Sequence, residues 1–182
     1  MIQGAANKYP DQVDKNIEAA RAINVDASKT LAQLCAARKT FLIYISTDYV
    51  FSGKPGEAPY SASAKTGPTT TYGQLKLDGE TATLQEFASV PESKGLGVAL
   101  RVPVLYGSAE QPSESAINVL MDTVWESQKR VDAQTSDESK IKVDHWAQRY
   151  PTSTEDVGRV CHGELFWHCS ASLSGFHRDT VD

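Results

Sequence analysis

A tyrosine and a lysine stand four positions apart in the stretch TTTYGQLKLDGE at residues 69–80. If this stretch is helical, Tyr72 and Lys76 lie on one face with neighbouring side chains. An ammonium group beside a phenol favours the phenolate and lowers the pKa of the phenol, as proton transfer near neutral pH requires. The spacing therefore predicts an acid–base pair. Because the chain has seven tyrosines, two unrelated residues on a helix surface are the alternative.

The segments that must position this pair alternate between helix and buried strand. We predict strands at residues 41–46 and 97–102 and helices at residues 11–38, 72–88 and 112–128. Strands that are apolar on both faces and alternate with helices are typical of a parallel α/β sheet. The segment 47–71, rich in Gly, Pro, Ser and Thr, follows the first strand. Because ligands bind beyond the carboxyl ends of such strands, we predict that this loop is functional.

The apolar positions of each helix predict its buried face. The inward residues are predicted to be Val25, Leu31, Leu34 and Cys35 in the first helix, Leu75, Gly79, Ala82 and Phe87 in the second, and Ile117, Leu120, Met121 and Val124 in the third. Ser and Thr residues ahead of Glu155 and Asp156 predict a capped helix start. After Cys161 the periodicity ends, and GELFWHCSA is interpreted as a short apolar strand.

The composition narrows the class of protein. The 182 residues are 40% hydrophobic and 23% charged, which is ordinary for a globular domain. A net charge of -5 without a basic stripe argues against nucleic-acid binding. The longest apolar runs are too short to cross a membrane, and the first residues do not resemble a signal peptide, so we expect a cytoplasmic protein. Three cysteines without a Cys-x-x-Cys pair predict reduced thiols.

Several ordered blocks resemble one protein family. YISTDYVFSG, GPTTTYGQLKLDGE and LRVPVLYG occur in the order and spacing of the extended short-chain dehydrogenase/reductase family, and most resemble its dTDP-4-dehydrorhamnose reductase branch. Within that branch, NVDASKTLAQLCAA, FLIYISTDYVF and above all DHWAQRYPT resemble the regulatory β subunits of methionine adenosyltransferase. The resemblance runs from residue 5 to about residue 161 and implies a Rossmann-like doubly wound parallel sheet.

This resemblance implies catalytic roles for three residues. Tyr72 matches the catalytic tyrosine of the family, and Lys76 matches the lysine that lowers its pKa and hydrogen-bonds the nicotinamide ribose. Thr47 matches the hydroxyl that polarises the substrate carbonyl, with Ser46 as the alternative holder of that role. Asp48 is interpreted as a residue that orients the loop or its turn. A vestigial pair that still helps to hold a dinucleotide is the alternative to active catalysis.

The resemblance also implies a set of cofactor-binding residues, with NADP as the expected cofactor. Ala5 and Ala6 match the turn after a family strand that lies against the cofactor. Pro103 follows the strand GVALRV, where the family brings its backbone close to the nicotinamide. Together with Tyr72 and Lys76, these residues form the expected cofactor-binding set.

The sequence departs from the family pattern at both ends. The family's first three strands, with their glycine-rich pyrophosphate turn, have no counterpart, and no Gly-x-Gly-x-x-Gly occurs. We therefore expect an incomplete sheet of marginal stability and largely lost NADP affinity. We expect a partial reductase-like NAD(P)-binding domain at residues 1–165 and an atypical C-terminal tail at residues 166–182. A fragment, a splice form and a gene-model error are the three explanations that remain open.

Two functions follow from the resemblance. The first is a non-catalytic regulatory subunit that binds the methionine adenosyltransferase catalytic subunit and supports S-adenosylmethionine synthesis. DHWAQRYPT at residues 144–152 is the block that favours this function. The second is an NADP-dependent reductase of a sugar-nucleotide ketone, which Thr47, Tyr72 and Lys76 favour. We expect neither a nucleic-acid nor a membrane partner for either function.

A metal site is a weaker alternative for the C-terminal region. CHGELFWHC places four ligand-type side chains close together, namely Cys161, His162, His168 and Cys169. Zinc accepts two thiolates and two imidazoles, but its ligands usually come in pairs roughly two to four residues apart on each side of a loop. We therefore predict no metal site. His145 and Trp146 are interpreted as packed residues.

Overall fold

A computed structural model describes residues 1–115, 117–131 and 149–174 of the chain. The chain divides into two compact units, one formed by Met1–Val102 with Arg159–Asp182 and the other by Pro103–Gly158. Within the described residues, no helix is long and apolar enough to span a bilayer. His145 and Trp146, with most of the DHWAQRYPT block, lie outside the described residues.

The first unit is built on a parallel sheet. Among the described residues its strands are β1 (Ile2–Gln3), β2 (Leu42–Thr47) and β3 (Gly97–Val102), in the spatial order β1-β2-β3. Both pairings are parallel, and β2 pairs with β3 along its whole length. The predicted α/β fold with a parallel sheet is confirmed. β2 is buried as predicted, whereas β3 is mostly half-buried because it lies at one edge of the described sheet.

The segment predicted as one helix at residues 11–38 is interrupted. It contains α1 (Pro10–Lys15), α2 (Ile17–Arg21), a π-helical turn (Ala22–Ala27) and α3 (Ser28–Ala37). Asn16 ends α1 and caps α2, because its side chain accepts a hydrogen bond from the amide of Ala19 at 3.0 Å. The wider π turn changes the phase of the helix that follows it. As a result Cys35 is buried as predicted, but the prediction for Leu34 is wrong because its side chain is exposed.

The helix that carries Tyr72 and Lys76 was predicted closely. It is α4 (Thr71–Ala88), and the Thr70 side chain caps it by accepting a hydrogen bond from the Gly73 amide at 3.0 Å. The predicted inward residues Leu75, Gly79 and Phe87 are buried. A Cβ at Gly79 would overlap a backbone carbonyl oxygen and a tyrosine hydroxyl, so the close approach of this helix requires glycine.

The second unit contains a short parallel strand pair and an exposed helix. β4 (Leu105–Tyr106) pairs with β5 (Thr152–Ser153), and α5 (Asn118–Val131) begins after a 3₁₀ turn at Pro112–Glu114. The helix predicted at residues 112–128 therefore starts and ends later. The predicted inward face is wrong, since Leu120 and Val124 are exposed and Met121 is 63% exposed. Within the described part of the chain, no neighbouring layer covers that face.

The last described helix is α6 (Thr154–Ser174). Its predicted capped start is confirmed, because the Glu155 amide donates to the Ser153 hydroxyl at 3.2 Å. The predicted strand at GELFWHCSA is wrong, since these residues continue the helix. None of them is β-branched, and the helix lacks a clear apolar stripe, so its periodicity gives little signal. The predicted domain boundary at residue 165 falls inside α6 and stays a prediction.

Candidate functional site

The predicted site residues gather around the carboxyl ends of the parallel strands. Because β1 and β2 run in parallel, Ala5 and Ala6, which follow β1, lie at the same edge of the sheet as Thr47, the last residue of β2. Tyr72 stands in the first turn of α4. Pro103 directly follows the carboxyl end of β3 and is the first residue of the second unit.

Thr47 and Tyr72 are brought together as predicted. The Thr47 hydroxyl donates to Asp48 Oδ1 at 3.1 Å and accepts from the Tyr49 amide at 3.3 Å, which fixes the turn after β2. The Thr47 side chain also lies beside the Tyr72 phenol. The rings of Tyr72 and Tyr49 meet edge to face, with centroids 5.7 Å apart. The phenol and the hydroxyl are thus close enough to meet a single carbonyl oxygen.

The electrostatics at Tyr72 are the reverse of those predicted. Burial raises the pKa of the Tyr72 phenol above its ordinary value, and the neighbouring Tyr49 and Asp48 raise it further. The neighbouring Thr47 side chain opposes this shift but does not reverse it. The expectation of a lowered phenol pKa is therefore wrong, and Tyr72 is a neutral phenol at physiological pH.

The position of the Lys76 side chain explains why the pKa of Tyr72 is not lowered. Lys76 is only 3% exposed, and its Nζ donates to the carbonyl oxygen of Ile45 at 2.7 Å. The same atom lies 4.2 Å from the centre of the Tyr44 ring, at cation–π distance. Burial lowers the pKa of Lys76 to about 8, although the nearby Glu80 carboxylate opposes the shift. Sharing a helix face with Tyr72 therefore does not aim the ammonium at its phenol.

A buried charge network stands beside this site and was missed from the sequence. Glu80 accepts hydrogen bonds from the Ser46 hydroxyl at 2.9 Å and from Arg101 Nε at 3.1 Å, and its other oxygen pairs with a second Arg101 nitrogen. Ser46 and Arg101 are cross-strand neighbours. Two signals point to the network: Glu80 follows Tyr72 and Lys76 at the same four-residue spacing, and Arg101 interrupts an apolar strand. The Ser46 hydroxyl is thus directed at Glu80, whereas Thr47 is the residue beside Tyr72.

Asn24 is a second residue that the sequence did not reveal. It lies in the π-helical turn, and its buried side chain accepts from the Asn7 amide at 2.8 Å and donates to the Asn7 carbonyl at 3.2 Å. Gln3 makes a similar pair of bonds with the backbone of Ala5. These two side chains fix the turn that contains Ala5 and Ala6. A π turn at such a position is common near functional sites.

The residues present fit one half of a nicotinamide dinucleotide. Ala5 and Ala6, in the turn after β1, are small and not buried. The Lys76 ammonium has three hydrogens and donates one of them to the carbonyl oxygen of Ile45. It therefore retains donors for a ribose hydroxyl. For the pyrophosphate half, the 182 residues contain no Gly-x-Gly-x-x-Gly turn. Tyr72, Lys76, Ala5 and Ala6 are the described residues that would hold the nicotinamide ribose.

The C-terminal residues considered for zinc give no metal site in the part that is described. Cys161 is buried, and the His162 ring stacks on Phe166 with centroids 6.4 Å apart. His168 and Cys169 belong to the part of α6 whose side chains lie outside the description. Among the described residues, no group of three or more His, Cys, Asp or Glu residues could hold a metal ion.

Comparisons with known proteins place the chain in a family. The RmlD substrate binding domain matches residues 1–173. Methionine adenosyltransferase 2 subunit beta of Pongo abelii is 42% identical over 162 residues, which are 88% of this chain and 42% of that protein. The chain thus spans less than half the length of the curated relatives it matches.

Solved structures agree with this placement. A dTDP-4-dehydrorhamnose reductase from Clostridium acetobutylicum superposes with a TM-score of 0.69 and 25% identity, covering 89% of this chain and 50% of that one. RMD from Pseudomonas aeruginosa, solved in complex with NADPH, has a TM-score of 0.64 at 20% identity, over 86% of this chain and 48% of that one, and shares the fold. The predicted resemblance is confirmed: the chain belongs to the RmlD substrate-binding domain family of Rossmann-like proteins.

Proposed function

We propose that this chain acts in a non-catalytic regulatory subunit of methionine adenosyltransferase, where it binds the catalytic subunit and supports S-adenosylmethionine synthesis. The observation that carries the proposal is the 42% identity to methionine adenosyltransferase 2 subunit beta over 88% of the chain. The matched residues extend through both compact units and not only through the tyrosine–lysine segment.

The electrostatics of the site support a vestigial role for the pair. A catalytic tyrosine needs a pKa near the working pH, yet burial raises the pKa of Tyr72. The ammonium that would correct this shift donates instead to Ile45 and lies over the Tyr44 ring. In this proposal Tyr72, Lys76 and Thr47 are a retained site that holds a dinucleotide, with Ala5 and Ala6 in the turn after β1. Pro103 stays a predicted cofactor-binding residue.

The regulatory function is tested by kinetics of the catalytic subunit. S-adenosylmethionine formation is measured against methionine concentration, with and without a saturating amount of the purified chain. We expect the chain to change KM or kcat, and the Tyr72→Phe variant to act like the wild type. Unchanged kinetics at every concentration of the chain would refute the proposal.

The second candidate is an NADP-dependent reductase of a sugar-nucleotide ketone. It is favoured by the contact between Thr47 and Tyr72 and by the fold shared with a reductase and with an NADPH complex. NADPH would supply the hydride, Tyr72 would give a proton to the ketone oxygen, and Thr47 would polarise that carbonyl. This candidate predicts loss of NADPH absorbance with dTDP-4-dehydrorhamnose, abolished by Tyr72→Phe. No turnover above the rate of that variant would exclude it.

A further inference from the structure

Residues 51–66 form a compact loop whose two ends are joined. The amide of Gly67 donates to the carbonyl of Val50 at 2.9 Å, which closes the base. Inside the loop the rings of Phe51 and Tyr60 stack, with centroids 4.1 Å apart. Such a closed loop, packed by its own side chains, is an Ω-loop.

Polar contacts within the Ω-loop converge on one carboxylate. Glu57 accepts hydrogen bonds from the hydroxyls of Ser52 and Tyr60, and the Tyr60 oxygen accepts from the Gly53 amide at 3.1 Å. These bonds stand around a cavity of about 580 Å³. The loop therefore has an internal structure of its own.

Arg101 connects the Ω-loop to the sheet. One of its nitrogens donates to the carbonyl of Ala62 at 3.0 Å, and its guanidinium lies 5.1 Å from the centre of the Phe51 ring. Two other nitrogens of the same group bind Glu80, which is only 4% exposed and is also bonded to Ser46. The planar guanidinium of arginine can donate to a carboxylate and to a loop carbonyl at the same time. A lysine ammonium is a compact point charge and does not match this geometry.

We propose that Arg101, held in place by Glu80 and Ser46, is a latch that fixes the Ω-loop against the sheet, and that the loop opens as a unit when the latch is released. Because Ser46 precedes Thr47 in β2, the latch also joins the loop to the strand end that carries the candidate site. The latch depends on the contacts of Arg101 alone, so it holds whichever of the two functions the protein has.

Trypsin cleavage of the 182-residue chain tests locally whether Arg101 holds the Ω-loop closed. Lys65 is an exposed loop residue followed by Thr66, whereas Lys54 is followed by proline and resists cleavage. We expect Arg101→Met and Arg101→Lys each to speed cleavage after Lys65 about tenfold, the effect of losing one or two charge-assisted hydrogen bonds. Cleavage after Lys29, inside α3, reports global unfolding and should change little.

A matched control and three contrary outcomes make the test decisive. Arg21→Met removes an exposed ion pair with Asp78 on α4 and should leave both cleavage rates unchanged. Equal acceleration after Lys29 and Lys65 would show that Arg101 holds the fold and not the loop, and would overturn the latch. So would an unchanged rate after Lys65, or a wild-type rate in Arg101→Lys.

Hydrogen exchange of the wild type tests the latch if the Arg101 variants fold poorly. The amides of Gly53, Lys54, Glu57 and Ala64 all donate within the Ω-loop. If the loop opens as a unit, they exchange with one shared opening free energy that is smaller than that of the β2 amides. Unrelated opening energies, or energies equal to that of β2, would contradict the proposal.

Discussion

At the scale of single residues, Lys76 is the group whose chemistry the fold changes most. Its side chain is buried against a strand carbonyl and an aromatic ring, and burial lowers its pKa from 10.5 to about 8. The charged lysine therefore costs folding free energy at neutral pH. Because the unfolded chain binds the proton more tightly, stability should rise as the pH passes from about 8 to about 10.5.

Lys76→Met should remove this pH dependence. The free energy of unfolding of the wild type, minus that of the variant, should rise by up to about 3 kcal/mol between pH 7.5 and pH 10.5, since one pKa unit corresponds to about 1.4 kcal/mol. Urea denaturation of both proteins at several pH values measures the difference, and other titrating groups cancel in the subtraction. A difference that stays constant with pH would show that Lys76 keeps an ordinary pKa.

Tyr72 should titrate as a buried phenol and not as an activated one. The ultraviolet difference between wild type and Tyr72→Phe isolates this one tyrosine among the seven. We expect its midpoint above the ordinary tyrosine pKa of about 10. Thr47→Val should move the midpoint higher still, because the Thr47 hydroxyl beside the phenol lowers its pKa. A midpoint below 10 would instead support an active acid–base pair.

Sequence reasoning identified these residues but not their electrostatics. The four-residue spacing placed Tyr72 and Lys76 on one helix face, and the resemblance singled out Thr47. Neither could show that Lys76 turns toward Ile45, since that depends on where β2 packs. Glu80 and Arg101 were missed for the same reason: their partnership is set by packing across the sheet and not by local sequence.

At the scale of secondary structure, the close packing of α4 on the π-helical turn is the feature that a single mutation tests best. Gly79→Ala places a Cβ against the Asn24 carbonyl and the Tyr44 hydroxyl, and we expect a loss of about 1–3 kcal/mol in the free energy of unfolding. Gly158→Ala in α6 is the matched control, because open space surrounds that position. It should stabilise by about 0.5–1 kcal/mol through helix propensity. Thermal or urea unfolding compares the two, and equal effects would contradict the packing.

The predictability of the elements followed the strength of local signals. β2 and α4 were predicted well because a continuous apolar run marks the strand and helically spaced apolar residues mark the helix. The break at Asn16 and the π turn were not predicted, because an alanine-rich segment has the sequence pattern of a continuous helix. The strand predicted within α6 was wrong because the segment lacks a helical stripe, and the face of α5 was wrong because periodicity does not say whether a partner covers it.

At the scale of the whole molecule, family membership extends through both compact units. The similarity to methionine adenosyltransferase 2 subunit beta covers 88% of the chain, so it is a property of the chain as a whole. Binding to a catalytic subunit would use residues spread over the whole chain. Catalysis would instead require a Tyr72 pKa near the working pH. The raised pKa of Tyr72 does not favour proton transfer near neutral pH, which agrees with the regulatory function proposed above.

The most direct measurement of the regulatory proposal is a calorimetric titration of the 182-residue chain with a methionine adenosyltransferase catalytic subunit, without NADPH. We predict a saturable isotherm, and the same dissociation constant within about twofold for Tyr72→Phe, because the phenol belongs to a vestigial site. A parallel titration with NADPH completes the comparison. Saturable binding of NADPH with no heat from the catalytic subunit would contradict the regulatory function and favour the reductase.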